Sequence, residues 1–160
     1  MEGVELHLRC QGFLGLVLDR FGYLLNEYGF EVIHKESVRL GERCMVVLAS
    51  PDCRIRFIFD RGGVEVDMGG VDAPATWGPG GRDRRQWFAI HAVSYFLHGG
   101  KRPTTEQARA LGKEFDSMTT EEIVSSLADY FRPFAREAFA LFRKDAPPER
   151  RRAFEVFVSG

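Results

Sequence analysis

Between Cys44 and Met68, apolar and polar residues alternate in three short runs joined by two turns. Closing the first turn at Pro51-Asp52 sets Leu48 opposite Ile55 and Val46 opposite Phe57. Closing the second at Arg61-Gly62 sets Phe57 opposite Val66 and Phe59 opposite Val64. The two registers agree, and together they collect one wholly apolar face. The other face carries Arg54, Arg56, Glu65 and Asp67, with Arg56 opposite Asp67, which reads as the solvated side of an antiparallel meander. Upstream, Phe30 to His34 alternates into a further strand, and Ser37 to Glu42 suits either its continuation or a turn. These runs predict a four-stranded antiparallel sheet over residues 30–68.

Helical spacing brackets the sheet. Phe13, Leu14, Leu16, Val17, Phe21, Leu24, Leu25 and Tyr28 recur at three and four, predicting one amphipathic helix over 10–28 that Gly29 stops. Residues 69–82, GGVDAPATWGPGGR, have no usable period and predict a long loop around Trp77. From residue 83 to 158 the pattern is helical. Asp83 is placed to cap a helix running to His98, ended by Gly99-Gly100. Pro103-Thr104 followed by Gln107 opens a short helix that stops near Gly112, and Thr119 with Glu122 forms a capping box for a long one. Pro133 removes an amide in the middle of that helix and predicts a break between Tyr130 and Pro133. Pro147-Pro148 ends it, and Glu149 to Val158 forms a final helix that begins with Arg150, Arg151 and Arg152. Strands followed by helices predict a single α+β domain over residues 1–160, with three to four helices packed on one face of the sheet.

Composition narrows the class of molecule. With 160 residues, 44% of them hydrophobic and 28% charged, the chain has the make-up of one globular domain. Fourteen Phe against four Tyr imply a core of rings that need no hydrogen-bond partner. A formal charge of −1 supplies no field for nucleic acid, and no apolar run approaches the roughly eighteen residues of a membrane span. The start of the chain, Met1 to Arg9, is acidic and mixed, unlike a secretory signal, so a cytoplasmic protein is expected. Three cysteines form no disulfide framework, and Cys44 and Cys53 lie apart on neighbouring strands, so reduced, buried thiols are expected.

Candidate chemistry is sparse. His7, His34, His91 and His98 have no second ligand at one-turn spacing, and His91 and His98 stand about 10 Å apart along a helix axis, so no metal or other cofactor is expected. No serine sits in a nucleophile elbow, and no catalytic residue is assigned. The GPGGR segment lacks the spacing and Lys-Ser/Thr pair of a phosphate-binding loop, and Asp83 would repel an anion there. Arg82, Arg84 and Arg85 cluster near Trp77 and Trp87, and Arg150 to Arg152 form a second cluster, each interleaved with a carboxylate. Both clusters read as solvated faces, and nucleic-acid binding is not expected.

The run Tyr23-Leu24-Leu25-Asn26-Glu27-Tyr28-Gly29-Phe30, followed by a strand pair with Ser50 at its turn and by Arg56-Phe57-Ile58-Phe59-Asp60-Arg61, resembles small uncharacterised bacterial proteins with a helix ending in a "YGF" corner before a "yDR" hairpin. Some of these are similar to immunity proteins of polymorphic toxin systems. The likeness spans roughly Phe13 to Met68 and rests on structural residues. It implies a non-catalytic protein whose partner is a toxin domain.

The expected function is therefore protein binding without catalysis, with Trp77, Arg82, Arg84, Arg85, Trp87 and His91 as candidate binding residues, since interface energy concentrates in Trp and Arg. The alternative is a small-ligand binder or enzyme whose pocket lies under the 69–82 loop near His91. An exposed apolar helix stripe could also pair two copies of the chain.

Overall fold

The fold was taken from a computed structural model that describes residues 6–76, 86–99 and 116–159. Apolar residues spaced at three and four form α1 (Leu8–Arg20) and α2 (Gly22–Tyr28). One helix was expected here; the chain instead breaks at Phe21, whose φ of −98° and ψ of 23° leave the helical well while its ring is fully buried. Packing of that ring edge-on against Phe57, 4.8 Å between centroids, prevails over helical continuity. Gly29 ends α2 at φ 72°, and Phe30 N–H closes the turn on Leu24 C=O at 3.0 Å.

The sheet follows the expected meander. β1 (Glu31–Val38), β2 (Arg43–Ala49), β3 (Arg54–Asp60) and β4 (Gly63–Gly69) pair antiparallel in sequence order. Leu48↔Ile55, Val46↔Phe57, Phe57↔Val66, Phe59↔Val64 and Arg56↔Asp67 are all as the alternation required. The undecided segment resolves into strand up to Val38 and then a turn, and β1 carries a bulge between Val32 and His34. At the β2–β3 turn, Ser50 Oγ accepts from the amides of Asp52 and Cys53, the local bonding that makes serine a turn residue. A fifth strand, β5 (Phe88–Ala89), adds to β4 through Met68 and Asp67. The helix expected from Asp83 therefore starts later, as α3 (Ile90–Leu97). The expected short helix near 104–112 lies outside the described residues.

Helices α4 (Thr120–Phe131), α5 (Ala135–Phe142) and α6 (Pro148–Ser159) complete the chain. Thr119 and Glu122 close the capping box, with Thr119 N–H to Glu122 Oε1 at 2.9 Å and the reciprocal bond at 3.1 Å. Pro133 does interrupt the run, as a 3₁₀ turn over Arg132–Phe134. One large core lies between the inner sheet face and the helices, filled by Phe13, Phe21, Phe57, Phe131, Phe139 and Phe154 among others. Tyr23 reaches across it to donate its hydroxyl to Ala128 C=O at 2.8 Å, tying α2 to α4.

Two expectations are overturned. The outer sheet face is not simply solvated: Met45, Val47 and Ile58 form a second buried cluster with Ala73 and Trp87. β2 is buried at five consecutive positions, the continuous pattern of a strand covered on both sides. The cysteines are not all reduced either, because Cys10 in the first turn of α1 is bonded to Cys44 at the start of β2, with Cα atoms 5.4 Å apart. Strand register placed Cys44 on the inner face; only the docking of α1 across that face brings Cys10 to it. Cys53 remains a free, buried thiol, and desolvation pushes its pKa up to about 12.

Candidate functional site

Of the residues singled out from the sequence, Trp77, Arg82, Arg84 and Arg85 lie outside the described residues. Trp87 is 6% exposed and roofs the outer sheet face. Its indole N–H donates to Pro74 C=O at 3.0 Å, and the Arg56 guanidinium lies 4.6 Å from the ring centroid. Beneath it, Arg56 donates through Nε at 3.1 Å and Nη2 at 2.7 Å to Asp67 Oδ2, a buried pair set by the β3–β4 register. Burial, together with the carboxylate of Glu65, pushes the Asp67 carboxyl up to about 7, against the pull of Arg56. Gly69 is required here, because a Cβ would collide with Gln86 C=O and Ala73 where the chain recrosses the sheet. Trp87 thus anchors the fold, and it also lines a cleft of about 630 Å³ with Ala92, Glu155 and Val158.

His91 lies elsewhere. It stacks on Tyr130, 4.9 Å between centroids at 25°, and lines a cleft of about 580 Å³ with Arg61, Asp116, Thr120 and Ile123. The cleft opens at the β3–β4 turn and the start of α4; no described residue of the 69–82 loop lines it. Burial lowers the His91 pKa, so its imidazole is neutral at physiological pH and can accept or donate one hydrogen bond. No described cavity brings Trp87 and His91 together.

A third locus was not anticipated. The β1–β2 connection passes through Arg39, Leu40 and Gly41 at φ 54°, 55° and 86°, a run of left-handed backbone that non-glycine residues rarely adopt. Gly41 is enforced, since a Cβ there would strike the His7 ring. His7 in turn donates its backbone N–H to Ser37 Oγ at 3.3 Å and caps α1 by accepting Arg9 N–H on Nδ1 at 3.1 Å. The neighbours of this contact are Leu8, 77% exposed, and Leu40, 86% exposed, the two most exposed large apolar side chains among the described residues. The Cys10–Cys44 bond clamps the same end of the sheet. Two apolar side chains are therefore held out from a stiff base, beside the exposed Arg9 and Arg39. The sequence signal was the undecided Ser37 to Glu42 stretch, where a bulky apolar residue sits in a turn without a leading Gly or Asn.

No group of three or more His, Cys, Asp or Glu side chains among the described residues is placed to hold a metal ion. Likewise, no helix among them is long and apolar enough to cross a membrane. The fold defines the chain as an α+β domain with an antiparallel sheet and helices after it. No protein-family profile matches the chain, and neither a curated protein nor a solved structure is significantly similar to it.

Proposed function

We propose that this chain is a protein-binding domain that carries no catalysis of its own, of the immunity type its helix-corner and hairpin residues resemble, with a toxin domain as partner. The observation that supports this reading is the presentation of Leu8 and Leu40 from a strained, disulfide-braced base. Exposed apolar side chains on a preorganised support bind without a large ordering cost, and left-handed strain at a surface turn is retained where it serves recognition. The test is binding to the product of the adjacent reading frame, followed by interferometry. Leu8→Glu and Leu40→Glu should each weaken capture by about tenfold or more while leaving the melting temperature unchanged, because each would place an unpaired carboxylate in a desolvated contact. Trp77→Ala with Arg84→Ala forms a second arm that reads the other candidate surface. If the adjacent product does not bind at all, the immunity-type reading fails.

The alternative, a small-ligand binder or enzyme, is favoured by the His91 cleft, where a neutral imidazole and the Asp116 carboxylate line one opening. A fragment screen by NMR checks it. Shifts gathered on His91 and Thr120, and lost in His91→Gln, are the expected result; shifts scattered over the surface would remove this reading.

A further inference from the structure

Three cations converge on a recess of about 270 Å³ between the chain leaving β4 and the α5–α6 connection. Arg143, Lys144 and Arg151 line it, and Asp72 is the one described carboxylate in its wall. Arg151 was expected on a solvated face, yet its guanidinium is laid over the rings of Phe142 and Phe88, 4.9 Å and 5.9 Å from their centroids. Ring stacking fixes the plane of the fork without using its donors. Its Nε–H is buried and makes no hydrogen bond, although Glu155 Oε1 lies 3.4 Å away out of line. Arg143 is oriented by Asp145, at 3.1 Å and 3.2 Å, with Asp52 at 3.8 Å. Lys144 has no partner among the described residues. The carboxylates that hold the two arginines are 73%, 57% and 48% exposed, so water screens their charge.

We propose that this recess is a binding site for a small phosphate-class oxyanion, bridging the Arg151 fork, Arg143 and Lys144. A compact dianion with several acceptor oxygens offers partners to the Lys144 ammonium and the Nη groups of Arg151 and Arg143, and charge-assisted bonds to a planar fork are the strong class of such contacts. The volume of about 270 Å³ admits a phosphate group with room for a small organic substituent. The inference is independent of the protein-binding reading, because the recess is built from different residues.

The experiment is titration of the full chain with inorganic phosphate at pH 7.5, with sodium chloride adjusted to hold ionic strength constant, followed by amide NMR shifts. Saturable shifts at Gly70, Asp72 and Lys144 are expected. Lys144→Gln and Arg143→Gln should each weaken binding by about fivefold or more, and Asp72→Asn should tighten it by about threefold, because it removes a like charge from the wall. Asp72, Arg143 and Lys144 are all exposed, so these variants leave the core untouched. A sugar phosphate binding more tightly than phosphate itself would identify the anion as one end of a larger small molecule. Shifts no larger than those with chloride alone, or equal in the wild type and Lys144→Gln, would overturn the site.

Discussion

Replacing Arg56 by Met is expected to destabilise the chain by about 3 to 5 kcal/mol at pH 8, the cost of leaving one member of a buried ion pair alone. Asp67 is 3% exposed and loses both of its N–H donors in this variant. The loss should shrink on acidification. A carboxyl whose folded-state pKa is raised from 3.8 to about 7 takes up its proton in the folded chain before the unfolded chain does, so stability from this group rises as pH falls through 7 towards 4. Without Arg56 the carboxyl is raised further and the recovery is steeper. Urea unfolding at pH 8 and pH 5 measures both values, and Arg56→Met with Asp67→Leu should regain most of the stability at pH 8. A cost at pH 8 of less than about 1 kcal/mol would show that the pair does not organise the outer face.

Removing the clamp between α1 and β2 ranks next. Cys10→Ala with Cys44→Ala is expected to cost about 3 to 4 kcal/mol, because the bond closes a loop with a sequence separation of 34. For a chain of this length that lowers the melting temperature by about 10 °C. Thiol counting gives an independent check. The native chain should show no reactive thiol, since Cys53 is 0% exposed with its pKa near 12. Unfolded without reductant it should show one, and after reduction all three. Three thiols in the unreduced, unfolded chain would contradict the bond.

How far the sequence could be read depended on how local each determinant was. Two-residue turns and period-two alternation set the β2–β3–β4 register, and those registers hold residue for residue. The capping box at Thr119 and the break at Pro133 are equally local and equally legible. Features made by distant packing were not. The run Met45-Val46-Val47 carried the mark of a strand buried on both faces, but pairing it with Arg54 and Arg56 suggested water on one side. β5 is two residues long and exists only because the chain recrosses β4 at Gly69. Cys10 meets Cys44 through helix docking, which spacing along the chain does not encode. The candidate surface was hidden for a different reason: Leu40 reads as an ordinary apolar residue until the backbone places it at positive φ.

The order of the elements also bears on synthesis. β4 ends at Gly69, but α5, which helps to seal the inner core, ends only at Phe142, roughly seventy residues later. At about 5 to 20 residues per second, the inner face of the nascent meander, covered at first by α1 and α2 and then by α3 and α4, waits about 4 to 15 seconds for its last helices. The bulge at Val32/His34 and the charged Lys35 along β1 are the devices that keep a bare ribbon edge from pairing with a neighbour during that interval.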